Sequence, residues 1–132
     1  MKRVQLLVLF FLLIISKSST GQSQRDMNYD AGVKYHAADS ELNAVYHQIL
    51  TTYSDDTLFI KEIKIAQGLW LQLREAEINV MYLPGKFYGS VEPMCQLMLL
   101  EDLTRERTKY LRQWIDGDEE GDVCEGTIKR KK

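Results

Sequence analysis

The chain has 132 residues, 45% hydrophobic and 27% charged, with 17 basic residues against 19 acidic ones and only two cysteines. That length suits one domain with a modest core. The acidic balance does not suit a nucleic-acid binder, which would have to neutralise phosphates.

Residues 1–21 read as a signal peptide. Lys2 and Arg3 form a charged start, residues 4–15 are apolar apart from Gln5, and Ser19-Thr20-Gly21 supplies small residues at a cleavage site before Gln22. The apolar run falls short of the about 20 residues that span a bilayer as a helix. Cleavage near Gly21 and release into the periplasm or the exterior are therefore expected, with an uncleaved anchor as the alternative. Lys2, Arg3 and Lys17 leave with the peptide, so 14 basic residues remain against 19 acidic, a net of −5; without residues 129–132 the body holds 10 against 19, or −9. Such a body suits a cationic partner through faster encounter, although solubility alone also accounts for it.

Residues 22–27 are polar and read as a flexible lead-in. The first helix is expected from Asn28 or Tyr29 to Tyr53, with Tyr35, Ala38, Leu42, Val45 and Ile49 inward at helical spacing. Asp39, Ser40, Glu41 and Asn43 are more polar than amphipathicity requires; Asp39 and Asn43 flank the stripe and Glu41 points outward. Residues 66–75 are of comparable character, so these two segments are expected to pack together with a third helix. Ser54-Asp55-Asp56-Thr57 is a short connection rich in N-cap residues. The second helix is predicted over 57–82, with Phe59, Ile63, Ala66, Trp70, Leu73 and Val80 on one stripe, until Pro84-Gly85 stops it. After a loop over 86–92, Pro93 opens a third helix that carries Met94, Leu97, Leu100, Thr104, Leu111 and Trp114 and ends at Gly117. No segment alternates with period two for long enough to argue for a strand. The expected fold is all-α, in a monomer or weak oligomer: a small antiparallel three-helix bundle over 28–116, then an irregular tail over 117–132 that holds Cys124 and a basic end.

Short connections between long amphipathic helices imply antiparallel neighbours. Equal rise then pairs residues of the first two helices whose numbers sum to about 110, and of the last two to about 176. A semi-buried polar network is the consequence: Asp39 and Arg74 as an ion pair, Asn43 and Gln67 exchanging amide hydrogen bonds, and Thr104 and Arg107 closing it. Such a network fixes register more than it adds stability.

Ala-Asp-Ser-Glu-Leu-Asn-Ala-Val-Tyr (38–46), Ala-Gln-Gly-Leu-Trp-Leu-Gln-Leu-Arg-Glu-Ala-Glu (66–77), Tyr-Gly-Ser (88–90) and Leu-Thr-Arg-Glu-Arg-Thr-Lys-Tyr-Leu (103–111) resemble, in order and approximate spacing, the LprI-like domain of secreted bacterial proteins. The motif positions are Asp39, Glu41, Leu42, Asn43, Tyr46, Gln67, Trp70, Arg74, Thr104, Arg107 and Leu111. Ile78 stands where many relatives carry a cysteine, and Gly68-Leu69 where a basic or small residue is more usual. The resemblance implies an extracytoplasmic helical module whose partner is a lysozyme, inhibited by occlusion of its cleft, and it implies no catalytic residue. The alternative is a structural or adaptor protein of the cell envelope.

Two cysteines in an exported chain suggest one disulfide, Cys95 with Cys124. The tail would have to run back nearly extended along about 28 Å of helix to reach Cys95, so intermolecular pairing or free thiols stay open. His36 and His47 would lie about 16 Å apart by helical rise, too far to share a metal, and no cofactor motif is present. The carboxylate pairs Asp39 with Glu41 and Glu75 with Glu77 would serve a glycosidase only if they flanked a sugar-sized cleft, which a small three-helix domain seldom encloses. Lys86, Phe87 and Tyr88 are the candidate contact with a protein partner, since loop aromatics held by flanking helices have the character of binding hot spots. The competing reading is that they fold back and cap the bundle end. The basic end, from Lys129, is expected to be solvated.

Overall fold

The computed structural model describes residues 23–117 and 124–129; the expected signal peptide over 1–21, residues 118–123 and the chain end from 130 lie outside the described residues. Among the described residues there are three helices and no strand: α1 (Gln24–Thr52), α2 (Thr57–Met81) and α3 (Glu92–Asp116).

α1 begins at Gln24, inside the polar residues 22–27 that are expected to form a flexible lead-in. The cause is a reciprocal cap: Ser23 Oγ accepts from the Asp26 N–H at 3.2 Å, and Asp26 Oδ2 accepts from the Ser23 N–H at 3.3 Å. The polar residues there start a helix. Asp56 does the same for α2, accepting from the Phe59 N–H at 2.9 Å. Past α2, Gly85 takes φ +78°, a left-handed conformation that a side chain disfavours. α3 opens on Glu92 and Pro93, where negative charge and a missing N–H both suit a helix start, and Gly117 closes it at φ +71°.

The core gathers Leu42, Val45, Ile49 and Tyr53 at the end of α1, Phe59 and Ile63 at the start of α2, and Leu111 on α3. Tyr53 and Phe59 stack with ring centroids 4.3 Å apart. Burying side chains of this size contributes about 1.5–3 kcal/mol each. The cluster therefore anchors the end of the molecule where the first connection turns.

Helices α1 and α3 approach closely, whereas α2 stands further off. Side-chain size explains the difference. Ala31 and Ala38 on α1 and Thr104 and Thr108 on α3 are buried and small, and a methyl group on Gly32 would already touch Leu97 at 4.0 Å. Large residues, Gln67, Trp70, Arg74 and Arg107, fill the space on the α2 side. The sequence leads to the expectation that the first two helices pack together with a third, without ranking the pairs; the small residues of α1 and α3 make theirs the closest.

The inward stripe of α2 also differs from expectation. Phe59, Ile63, Gln67 and Ile78 are buried and Trp70 and Arg74 half-buried, a regular helical series. Leu73 and Val80, expected inside, are exposed, as is Ala66. Two polar residues, Gln67 and Arg74, occupy inward positions that an apolar count assigns to their neighbours.

Candidate interaction surface

A polar seam runs where the three helices meet. Arg74 Nη1 donates to Thr104 Oγ1 at 3.1 Å and reaches Asp39 Oδ1 at 3.4 Å. Asp39 Oδ2 accepts from Asn43 Nδ2 at 3.2 Å. Arg107 Nε donates to the buried Gln67 Oε1 at 3.0 Å. The amide exchange expected between Asn43 and Gln67 is not formed: Asn43 is exposed and turned to its own helix neighbour, while Gln67 is buried and taken by Arg107. Trp70 joins the two halves instead. The Arg74 guanidinium lies 4.9 Å and the Arg107 guanidinium 5.7 Å from its ring centroid.

Arg107 Nη2 is buried without a hydrogen-bond partner among the described residues. The guanidinium is held between the Trp70 and Tyr110 rings, 5.2 Å from the latter, so π faces take the place of acceptors. Burial lowers the Arg107 pKa, and an arginine stays cationic at neutral pH despite it. This seam holds helices together and presents little to a partner.

Glu41, read as pointing outward, ties α1 to α3. Arg112 Nη2 donates to its Oε1 at 2.5 Å, and Arg105, itself bonded to Glu101 at 2.8 Å, lies 3.8 Å from its Oε2. The hydrogen bond to Glu41 is the main cause that raises the Arg112 pKa. A helical stripe predicts which residues leave the core, not which cations meet them. The network was therefore missed in the sequence.

The loop of Lys86, Phe87 and Tyr88 divides by residue. Tyr88 folds back: its hydroxyl accepts from the Leu83 N–H at 3.2 Å, its own N–H donates to Glu92 Oε2 at 3.0 Å, and its ring meets Tyr82 edge-on at 5.7 Å. Gly89, at φ +97°, permits the reversal. Phe87 does not fold back and is 83% exposed beside the exposed Lys86. A braced aromatic knob is the result.

At the other end, the tail segment docks rather than floating. Trp114 Nε1 donates to Thr127 Oγ1 at 3.0 Å, and the Lys129 N–H donates to the Tyr53 hydroxyl at 3.3 Å. Lys129 Nζ donates to the Thr52 carbonyl at 3.0 Å, placing a cation at the negative end of α1, 4.3 Å from the Tyr53 ring centroid. An open apolar groove of about 420 Å³ lies there between α2 and α3, with Phe59, Ile63, Tyr110 and Trp114 among its walls. Asp39, Glu41, Glu75 and Glu77 do not line it.

The expected disulfide is absent from the described residues. Cys95 is half-buried in the first turn of α3, close to Tyr82, whose phenol is raised mainly by burial and further by that thiol; Cys124 is exposed. The docking of Thr127 and Lys129 explains the separation. It holds the tail against the Trp114 end of α3, about 28 Å of helical rise from Cys95.

Comparison with known proteins adds two findings. A family model described as lysozyme inhibitor LprI matches residues 15–111. An uncharacterized protein of Rhizobium meliloti (strain 1021) is 31% identical over 108 residues, covering 74% of this chain and 77% of that protein. No solved structure gives a significant match.

Proposed function

The chain belongs to the lysozyme inhibitor LprI family, and on that basis we propose that it is an exported, non-enzymatic module that binds a lysozyme and inhibits it by occluding its cleft. The observation that carries this reading within the family is the braced knob: Phe87 is 83% exposed, next to Lys86, on a loop fixed by Tyr88 and Glu92. An aromatic side chain presented on a rigid support loses little conformational freedom on binding. No helix among the described residues is long and apolar enough to cross a membrane. Within the proposal residues 1–21 act as the signal peptide, and the three helices form an antiparallel bundle, supported by the contacts of Asp39 with Arg74 and Tyr53 with Phe59.

The acidic body fits the same reading, since an acidic inhibitor and a cationic lysozyme meet faster than uncharged partners do. The test is lysozyme activity on cell-wall substrate with added protein at low and moderate salt. Dose-dependent inhibition that weakens as salt rises supports occlusion by a charge-steered partner. Full lysozyme activity at many-fold excess of folded protein, across several lysozyme classes, would favour an envelope adaptor instead.

A further inference from the structure

Three of the four methionines beyond the expected signal peptide, Met27, Met94 and Met98, line one pocket of about 220 Å³ between the amino-terminal turns of α1 and α3. Met94 and Met98 are four residues apart and so lie on one face of α3, while Met27 reaches the same pocket from α1. One turn on from Met27 the pocket is lined by Ala31, whose buried methyl group leaves the space between the helices open. None of the three methionines is buried, and Met98 is 50% exposed. They are therefore not gap fillers of the core, the ordinary use of this side chain. A thioether left in contact with solvent is also open to oxidation, so three of them at one pocket are a feature to account for.

We propose that Met27, Met94 and Met98 form a thioether site for a soft monovalent metal ion, with Cu(I) as the biological ligand and Ag(I) as its mimic. Thioether sulfur is a soft donor that suits Cu(I), whereas carboxylate, carbonyl and water suit the hard divalent ions. It carries no proton to lose, so the site loads without the proton release that thiol ligands require. The side chains are unbranched and flexible, and neighbours on one helix face start about 5–6 Å apart at Cβ. Their sulfurs can therefore meet on one ion.

The charges around the pocket favour a cation as well. Asp30, Glu101 and Asp102 line it with a single lysine, Lys34. Glu101 is also bonded to Arg105 at 2.8 Å, so three acids stand against two bases and the local field draws in a positive ion. The other donor types offer no rival site: among the described residues no group of three His, Cys, Asp or Glu could hold a metal ion. Cys95, next to Met94 in sequence, is turned to Tyr82 and does not line the pocket. Phe87 does not line it either, so the proposal stands independently of lysozyme inhibition.

The test is a titration with Cu(I), kept reduced by ascorbate without oxygen, against the competing chelator bicinchoninate. Thiols also hold Cu(I), so the chain, expressed with its own amino-terminal segment, carries Cys95→Ser and Cys124→Ser. Wild type with alkylated thiols is run in parallel. The expected result is one equivalent of Cu(I) retained in both forms. Met27→Leu, Met94→Leu and Met98→Leu should each weaken retention by about tenfold or more, since even an outer-shell partner is worth that much. Their helical circular-dichroism spectra should stay unchanged, because leucine conserves the volume. Met81→Leu, an exposed methionine of α2 outside the pocket, should bind like the parent. X-ray absorption of the loaded parent should show sulfur neighbours, a readout that needs no variant. A parent that retains no Cu(I) overturns the proposal. So does retention that the three pocket variants leave intact, a loss that Met81→Leu shares equally, or a first shell of nitrogen or oxygen alone.

Discussion

Arg74 donates to Thr104 at 3.1 Å, a shorter contact than its 3.4 Å approach to Asp39. Thr104 is wholly buried, whereas the Asp39 side chain keeps 35% of its surface in water. The hydroxyl and the Trp70 face, more than the ion pair, hold the guanidinium. Arg74→Ala is therefore expected to destabilise the domain by about 2 kcal/mol, through a lost charged hydrogen bond and lost packing. Asp39→Asn should cost under about 1 kcal/mol, the range of a solvent-screened pair. Urea unfolding of both variants and of the double variant gives the comparison; a larger effect at Asp39 would reverse the assignment.

Burial separates two leucines that helical periodicity treats alike. Leu111 has no exposed surface and belongs to the core cluster, while Leu73, expected inside, is 55% exposed. Leu111→Ala should cost about 2–5 kcal/mol, the range for emptying a packed site. Leu73→Ala, measured in dilute solution, should stay within about 0.5 kcal/mol of wild type. Thermal or urea denaturation decides, and comparable losses at the two positions would restore Leu73 to the core.

Why one stripe was legible and the other was not follows from what fills each face. On α1 the inward positions Ala38, Leu42, Val45 and Ile49 are apolar, so periodicity identifies all of them as buried. On α2 the inward positions include Gln67 and Arg74, while Leu69, Leu73 and Val80 lie outside. A hydrophobicity pattern cannot rank a buried arginine above an exposed leucine without knowing that Thr104 and Trp70 await it. The early start of α1 was readable in Ser23 and Asp26, whose spacing makes a capping box. The clamp of Glu41 by Arg105 and Arg112 was not, because it depends on how closely α1 and α3 approach, which small residues decide.

Tyr46 supplies a pH dependence with a definite sign. It is half-buried against the core cluster, and desolvation raises its phenol above the ordinary value of about 10. Between the unfolded pKa and the raised folded one, the native state binds more protons than the unfolded state. Stability is thus intact below about pH 10 and falls as pH rises above it. Tyr46→Phe should flatten that alkaline decline relative to wild type while leaving the neutral-pH midpoint nearly unchanged. An equal alkaline slope in both proteins would show that the phenol is solvated in the native state.

Phe87 and Tyr88 are neighbours with opposite duties, and paired variants separate them. Among the described residues Phe87 makes no ring contact and no side-chain hydrogen bond, and it is 83% exposed, so Phe87→Ala should leave the unfolding midpoint within error. If the knob enters a lysozyme cleft, the same change should weaken inhibition by roughly tenfold or more, as hot-spot truncations of about 2 kcal/mol do. Tyr88→Phe keeps the ring against Tyr82 but leaves the Leu83 N–H without its acceptor. That change should loosen the loop, speeding amide exchange at Leu83 and weakening inhibition less than Phe87→Ala. Inhibition that survives Phe87→Ala at full strength would move the inhibitory contact off this aromatic, the most exposed large apolar side chain of the loop.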